Sequence, residues 1–174
     1  MGNLMKKLYL LRHAKAEPGS KDLGDKERPL AARGRLACTM MGNYIKEKSY
    51  VPDVAIASPS ARTSETFERI VEAAGASVPV QFIDKLYLAT ADEMLHYIRL
   101  LSDKASSVLL VGHNPGMHHL ALILSRPERT ALRIKLELKY PTGSLAVLGF
   151  SGDYWKDVIP GEGTLTDFIT PQTL

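Results

Sequence analysis

The chain has 174 residues, 45% of them apolar and 24% charged, which suits one globular domain with a real core. Its net charge of +3 is too mild to argue for nucleic acid, and no Lys/Arg block forms a basic tail. A single cysteine, Cys38, makes neither an internal disulfide nor a zinc site and fits a reducing compartment.

Behind the basic stretch Met1–Lys7, the run Leu8–Leu11 is short, apolar and unbroken. It is far too short for a signal-peptide core and predicts a strand buried on both faces. It ends on Arg12 and His13 within "LYLLRHAKAE". A polar loop with Pro18, Gly19 and Gly24 follows, closing with "ERPLAARG". Leu36, Ala37, Met40, Met41, Tyr44 and Ile45 then recur at helical spacing, and that helix stops near Ser49, before Pro52. Cys38 reads as a small core residue within it.

"DVAIAS" (53–58) predicts a second strand. "SPSARTSETFERIVEAAG" predicts a helix capped by Ser58, with Pro59 first and Gly75 at its end. "VPVQFI" (78–83) is a third strand, and "TADE" (90–93) a capping box opening a helix through Leu95, Ile98 and Leu101. "SVLLVGHNPG" (107–116) is a buried strand ending at Gly112-His113, with Asn114-Pro115 placed to start another helix through Met117, Leu120, Ala121 and Leu124. "LRIKLEL" (132–138) alternates strictly, which predicts a half-exposed strand. "SLAVLGF" and "WKDVIP" read as a closing pair of strands.

Strands alternating with helices imply a three-layer α/β/α sandwich around a largely parallel sheet, as one domain over 1–174. In such sheets the ligand lies beyond the C-terminal strand ends, where Arg12-His13, Ser58 and Gly112-His113 all fall. Arg62 stands in the first turn after Ser58-Pro59, and Arg28 in the loop after the first strand. Guanidinium forks and helix N-termini both favour phosphate. A lone arginine near a strand end is usually a surface ion pair; convergence at successive strand ends carries the phosphate reading.

"LRHAKAE", "SPSARTSET" and "GHNPG", in that order, resemble the histidine phosphatase superfamily, with its phosphoglycerate mutase-like fold. "DKERPLAARG", the short length and "FITPQTL" resemble its small SixA-like phosphohistidine phosphatase branch. The resemblance implies that His13 is a nucleophile that becomes phosphorylated. Arg12 and Arg62 would hold the phosphoryl oxygens, His113 would be the second pocket histidine, and Arg28 and Asn114 would complete the phosphate-binding set. No cofactor or metal is implied. The implied partner is a phosphohistidine protein such as a phosphotransfer domain, met in the cytoplasm, with no membrane and no nucleic acid involved.

Larger superfamily members carry a glutamate general acid after the third strand. Here only "DKLYLATADE" separates that strand from the next helix. Asp84, Asp92 and Glu93 lie there outside any acid motif, and Asp92 and Glu93 are explained as first-turn helix acids. Asp25, three residues before Arg28, would orient that arginine or receive a proton, but like Asp22 it reads first as a solvated loop acid. A missing acid disfavours alkoxide leaving groups and fits a phosphoramidate. Three other readings compete: a phosphatase of a small phosphomonoester, a non-catalytic phosphate-binding relative, and a metallohydrolase using His96, His113, His118 and His119. The last lacks any ligand spacing of the H-E-x-x-H or paired-Cys kind.

Overall fold

The computed structural model describes residues 6–174. The reading of Met1–Lys7 therefore rests mostly on residues outside the described ones. Six strands make one sheet: β1 (Lys6–Arg12), β2 (Val54–Ala57), β3 (Val80–Phe82), β4 (Ser107–Gly112), β5 (Leu145–Phe150) and β6 (Thr164–Ile169), in spatial order β3-β2-β4-β1-β5-β6. β1, β2, β3 and β4 pair in parallel, while β5 is antiparallel to both β1 and β6.

The alternation of β1 divides the core. Leu8 and Leu10 pack with α3 (Ala91–Arg99), α4 (Gly116–Leu124) and α5 (Ala131–Leu138) on one face. Tyr9 and Leu11 pack with α1 (Ala32–Glu47) and α2 (Ala61–Ala73) on the other. A strand covered on both sides has no use for polar residues, which is why Leu8–Leu11 reads as an unbroken apolar run. This is the expected three-layer sandwich. No helix among the described residues is long and apolar enough to cross a membrane.

Local signals hold where punctuation is strong. Thr90 and Glu93 form the capping box of α3, and Gly75 takes the left-handed conformation past α2, at φ 65°. Met117, Leu120, Ala121 and Leu124 are all buried. Cys38 is buried in α1, and burial pushes its thiol up to about 12.

Four expectations need correction. "LRIKLEL" is the helix α5, not a strand. The Thr130 side chain accepts from the Arg133 N–H, Arg133 pairs with Glu137 one turn on, and an Arg133 Nη1 donates to the Leu122 carbonyl at 2.9 Å. These ties fix a helical turn against the end of α4, and of the alternating apolar residues only Leu136 is buried. "WKDVIP" is also not a strand. Trp155 opens a short 3-10 turn, wholly buried, its Nε1–H donating to the Ala105 carbonyl, and the pairing strand is the later "TLTDFI", β6. The cap of α2 is Ser60, which accepts from the Thr63 N–H, rather than Ser58. Finally, α1 begins at Ala32, and its buried stripe runs through Gly34, Cys38, Met41 and Ile45, leaving Leu36 63% exposed.

At one point α1 and α2 touch backbone to backbone. A Cβ added at Gly42 would lie 2.5 Å from the Ala73 Cβ and 2.6 Å from the Ile70 carbonyl oxygen. Alanine in mid-helix is normally worth about 0.5–1 kcal/mol over glycine, whereas overpacking costs about 1–3 kcal/mol. The second effect wins. Gly42→Ala is expected to lower the urea midpoint at an unchanged m-value; a raised midpoint would show that the helices part without cost.

Candidate active site

The site grows out of one ladder. Arg12 stands opposite Gly112 at the last rung of the β1–β4 pairing, so His13 and His113 leave the sheet side by side. The His13 N–H donates to the Gly112 carbonyl at 3.0 Å, and the Gly143 N–H donates to the Arg12 and His13 carbonyls. The two imidazole rings lie 5.3 Å apart, tilted by 57°.

Their partners decide which nitrogen carries each proton. His13 Nδ1 is 2.8 Å from the Ala14 carbonyl oxygen. That oxygen only accepts, so Nδ1 carries the hydrogen and the lone pair is left on Nε2. His113 is arranged the other way. Arg62 Nη2 lies 3.3 Å from its Nδ1, and a guanidinium only donates. Nδ1 must accept, and the Nε2–H donates to Ser58 Oγ at 2.7 Å. Burial holds His13 down at about 4, with Arg62, Arg12 and Arg28 adding to the effect. Burial likewise holds His113 at about 3, helped by the neighbouring His13 and Arg62. Both rings are neutral at pH 7.

Three guanidinium groups complete the basic wall of a cavity of about 350 Å³ lined by Arg12, His13, Arg28, Arg62, His113 and Asn114, with Lys15, Asp25, Leu88 and Thr142 at its edges. Arg12 Nη1 donates to the Tyr140 carbonyl at 2.8 Å, while its Nε is buried with no partner among the described residues. A buried N–H left unpaired costs about 1–3 kcal/mol, which an anion in the cavity would relieve. Arg62, in the first turn of α2, is 3% exposed.

Asp25 links the arginines, although its side chain stays 47% exposed. Its carboxylate accepts from Arg28 Nη1 at 2.9 Å, from Arg62 Nη2 at 3.0 Å and from the Tyr87 hydroxyl; its carbonyl accepts from Arg62 Nη1 at 2.7 Å. The Tyr87 and Arg28 hydrogen bonds hold it well below the usual carboxylate range.

All six residues expected at the site therefore converge. Asn114 is the most committed of them: its Nδ2 donates to the Tyr140 carbonyl and its Oδ1 accepts from the His118 N–H, leaving one amide hydrogen for a ligand. The N–H groups of Met117, His118 and His119 are satisfied within the chain, so the start of α4 contributes little to an anion site. Asp22, Asp84, Asp92 and Glu93 do not line the cavity, and the Glu93 carboxylate closes the capping box. No group of His, Cys, Asp or Glu suited to a metal ion forms among the described residues; His118 donates instead to the Leu136 carbonyl.

Sequence reasoning missed Ser58 as the partner of His113, and Tyr87. The Tyr87 ring meets His113 edge-on at 5.4 Å and lies under the Arg62 guanidinium at 5.9 Å. The signal available in the sequence is an aromatic ring between Leu86 and Leu88 in the short segment before α3.

Comparison with known proteins agrees with this geometry. The family model of the histidine phosphatase superfamily (branch 1) matches residues 8–87. An uncharacterized protein of Mycobacterium tuberculosis, Rv1276c, is 30% identical over 165 residues, which are 93% of this chain and 100% of the relative. A candidate phosphohistidine phosphatase SixA from Nakamurella multipartitia superposes with a TM-score of 0.81 at 28% identity, over 95% of this chain and 96% of that one. Another, from Agrobacterium tumefaciens, gives a TM-score of 0.80 at 28% identity, over 97% and 100%.

The two imidazoles make a paired prediction. Long-range proton–nitrogen spectra are expected to report His13 as the Nδ1–H tautomer and His113 as the Nε2–H tautomer at pH 7; the same tautomer at both would contradict the geometry. Both groups titrate lower folded than their ordinary 6.5. The unfolded chain therefore binds more protons between that value and the folded ones, and stability, full above 6.5, falls as pH drops toward about 4 for His13 and about 3 for His113. The slope is at most about 1.4 kcal/mol per pH unit per histidine. His113→Gln is expected to flatten it, read as urea midpoints against pH.

Proposed function

The chain belongs to the histidine phosphatase superfamily, in its SixA-like branch, and we propose that it hydrolyses phosphohistidine on a protein through a phosphorylated His13. That it is a phosphatase with a phosphate-bearing substrate follows from the family; the phosphohistidine and the residue roles are our reading, as is residues 1–174 acting as one such domain without a metal. One observation carries it. His13 donates its Nδ1–H to the Ala14 carbonyl, which leaves a neutral Nε2 lone pair in a cavity walled by Arg12, Arg28 and Arg62.

In this reading the Nε2 lone pair forms a bond to phosphorus while the bond to the leaving group breaks and takes its electron pair with it. Arg12, Arg62 and Arg28 hold the equatorial oxygens, and neutral His113 positions Arg62 by accepting from its Nη2. Water then attacks the phosphorylated His13. The N–P bond breaks, inorganic phosphate leaves, and the proton of the water passes to phosphate or solvent.

Asp25, the one carboxylate lining the cavity, is held ionised by its donors, so it has no proton to give at neutral pH. A substrate imidazole leaves neutral once its own ring is protonated and needs no donor. An alkoxide does. A small phosphomonoester with a poor leaving group is the second reading, and the ionised Asp25 argues against it.

Rapid quenching with labelled substrate is expected to give an acid-labile, alkali-stable label on His13, and His13→Ala is expected to lose both label and turnover. Label on Cys38 or a serine would overturn the mechanism. Across phosphate esters of graded leaving-group pKa, kcat/KM is expected to fall steeply with basicity, because general acid catalysis is worth about 10²–10⁴-fold. A flat series would restore the small-ester reading. Activity is expected to survive chelators.

A further inference from the structure

At the mouth of the cavity stands a residue that the phosphate chemistry does not use. Leu88 is 55% exposed, lines the cavity, and has φ at 51°. Isolated exposed leucines such as Leu36 or Leu100 are ordinary. Leu88 differs because its backbone is also in the left-handed region, which residues other than glycine and asparagine seldom enter. Ser49, the other such residue, is polar and ends a helix.

The conformation is imposed from both sides. Leu86 and Ala89 are buried, at 1% and 5% exposure. The Ala89 N–H reaches back to the Leu86 carbonyl at 3.3 Å, and the Ala89 carbonyl is packed against Gly116, where a Cβ would collide with it. Next to Leu88, the Tyr87 hydroxyl is held by Asp25. The segment thus places one large apolar side chain at a cavity whose other lining residues, the small Ala16 apart, are charged or polar. Strain of this kind persists where the surroundings over-determine it, and it clusters at functional sites.

We propose that Leu88 is a specificity-determining residue that packs against the leaving group of the substrate, selecting the flat face of an aromatic ring over a polyhydroxylated body. This rests on the phosphatase reading above and deepens it: an imidazole on a protein is such a ring, a sugar is not. The contact lies beyond the phosphoryl group, so a substrate with no organic body does not feel it.

The test is a ratio of kcat/KM for p-nitrophenyl phosphate to that for phosphoramidate. Leu88→Asn suits the left-handed backbone and removes the apolar surface; the ratio is expected to fall about tenfold, equivalent to 1.4 kcal/mol, mainly through KM for the aryl ester. Leu88→Met, which keeps an apolar side chain, is expected to hold the ratio near wild type. An unchanged ratio in Leu88→Asn, or an equal fall in Leu88→Met, would overturn the role of Leu88 while wild-type turnover of phosphoramidate upheld the phosphatase reading. A wild type that turns over neither compound and takes no label on His13 would instead overturn that reading, and this role with it.

Discussion

Arg12 and Gly112 face each other at the end of a parallel ladder, and the residue after each of them is a histidine. Neighbouring strands lie about 4.8 Å apart, so the pairing sets the two rings side by side before any side-chain interaction is considered. The register has no freedom. Leu8 to Leu11 and Val108 to Val111 are buried on both faces, and a one-residue slip would turn every side chain to the opposite layer. Arg12 is aimed by the same ladder, and Arg62 is delivered from α2, which follows the next strand over.

The electrostatics of the cavity follow from this crowding. Three guanidinium groups and two imidazoles share one small space, and arginine does not give up its proton. Burial, with the guanidinium charges adding to it, keeps both imidazoles neutral. For His113 the neutral form is what lets its Nδ1 accept from Arg62; for His13 it is what leaves a lone pair on Nε2. Asp25 offsets part of the excess positive charge and bridges Arg28 to Arg62.

The basic strand ends were legible because each follows an unbroken apolar run, and the sequence places them in the correct order. What escaped notice depends on partners distant in the chain. The tie of Asp25 to Arg28 is three residues long and legible, but its ties to Arg62 and Tyr87, 37 and 62 residues away, are not. The two serines of S-P-S are equivalent as caps until His113 claims Ser58 and leaves Ser60 for α2. "LRIKLEL" shows a period of two over a stretch too short to exclude a helix, and its Leu, Arg, Lys and Glu are helix formers. "WKDVIP" is not a strand because its indole is anchored to the Ala105 carbonyl, a partner 50 residues away in the chain.

The burial of Cys38 has a consequence for chemistry outside the cavity. Among the described residues no sulfur atom lines the site, and the one thiol is shut inside α1 with its proton held far above neutral pH. Peroxide attack on cysteine and disulfide exchange both need an exposed thiolate, and the buried Cys38 does not supply one. Imidazole and guanidinium do not enter the thiol oxidation ladder. A phosphate site built from them keeps its charge and shape through swings in redox poise that would silence one built on a thiolate.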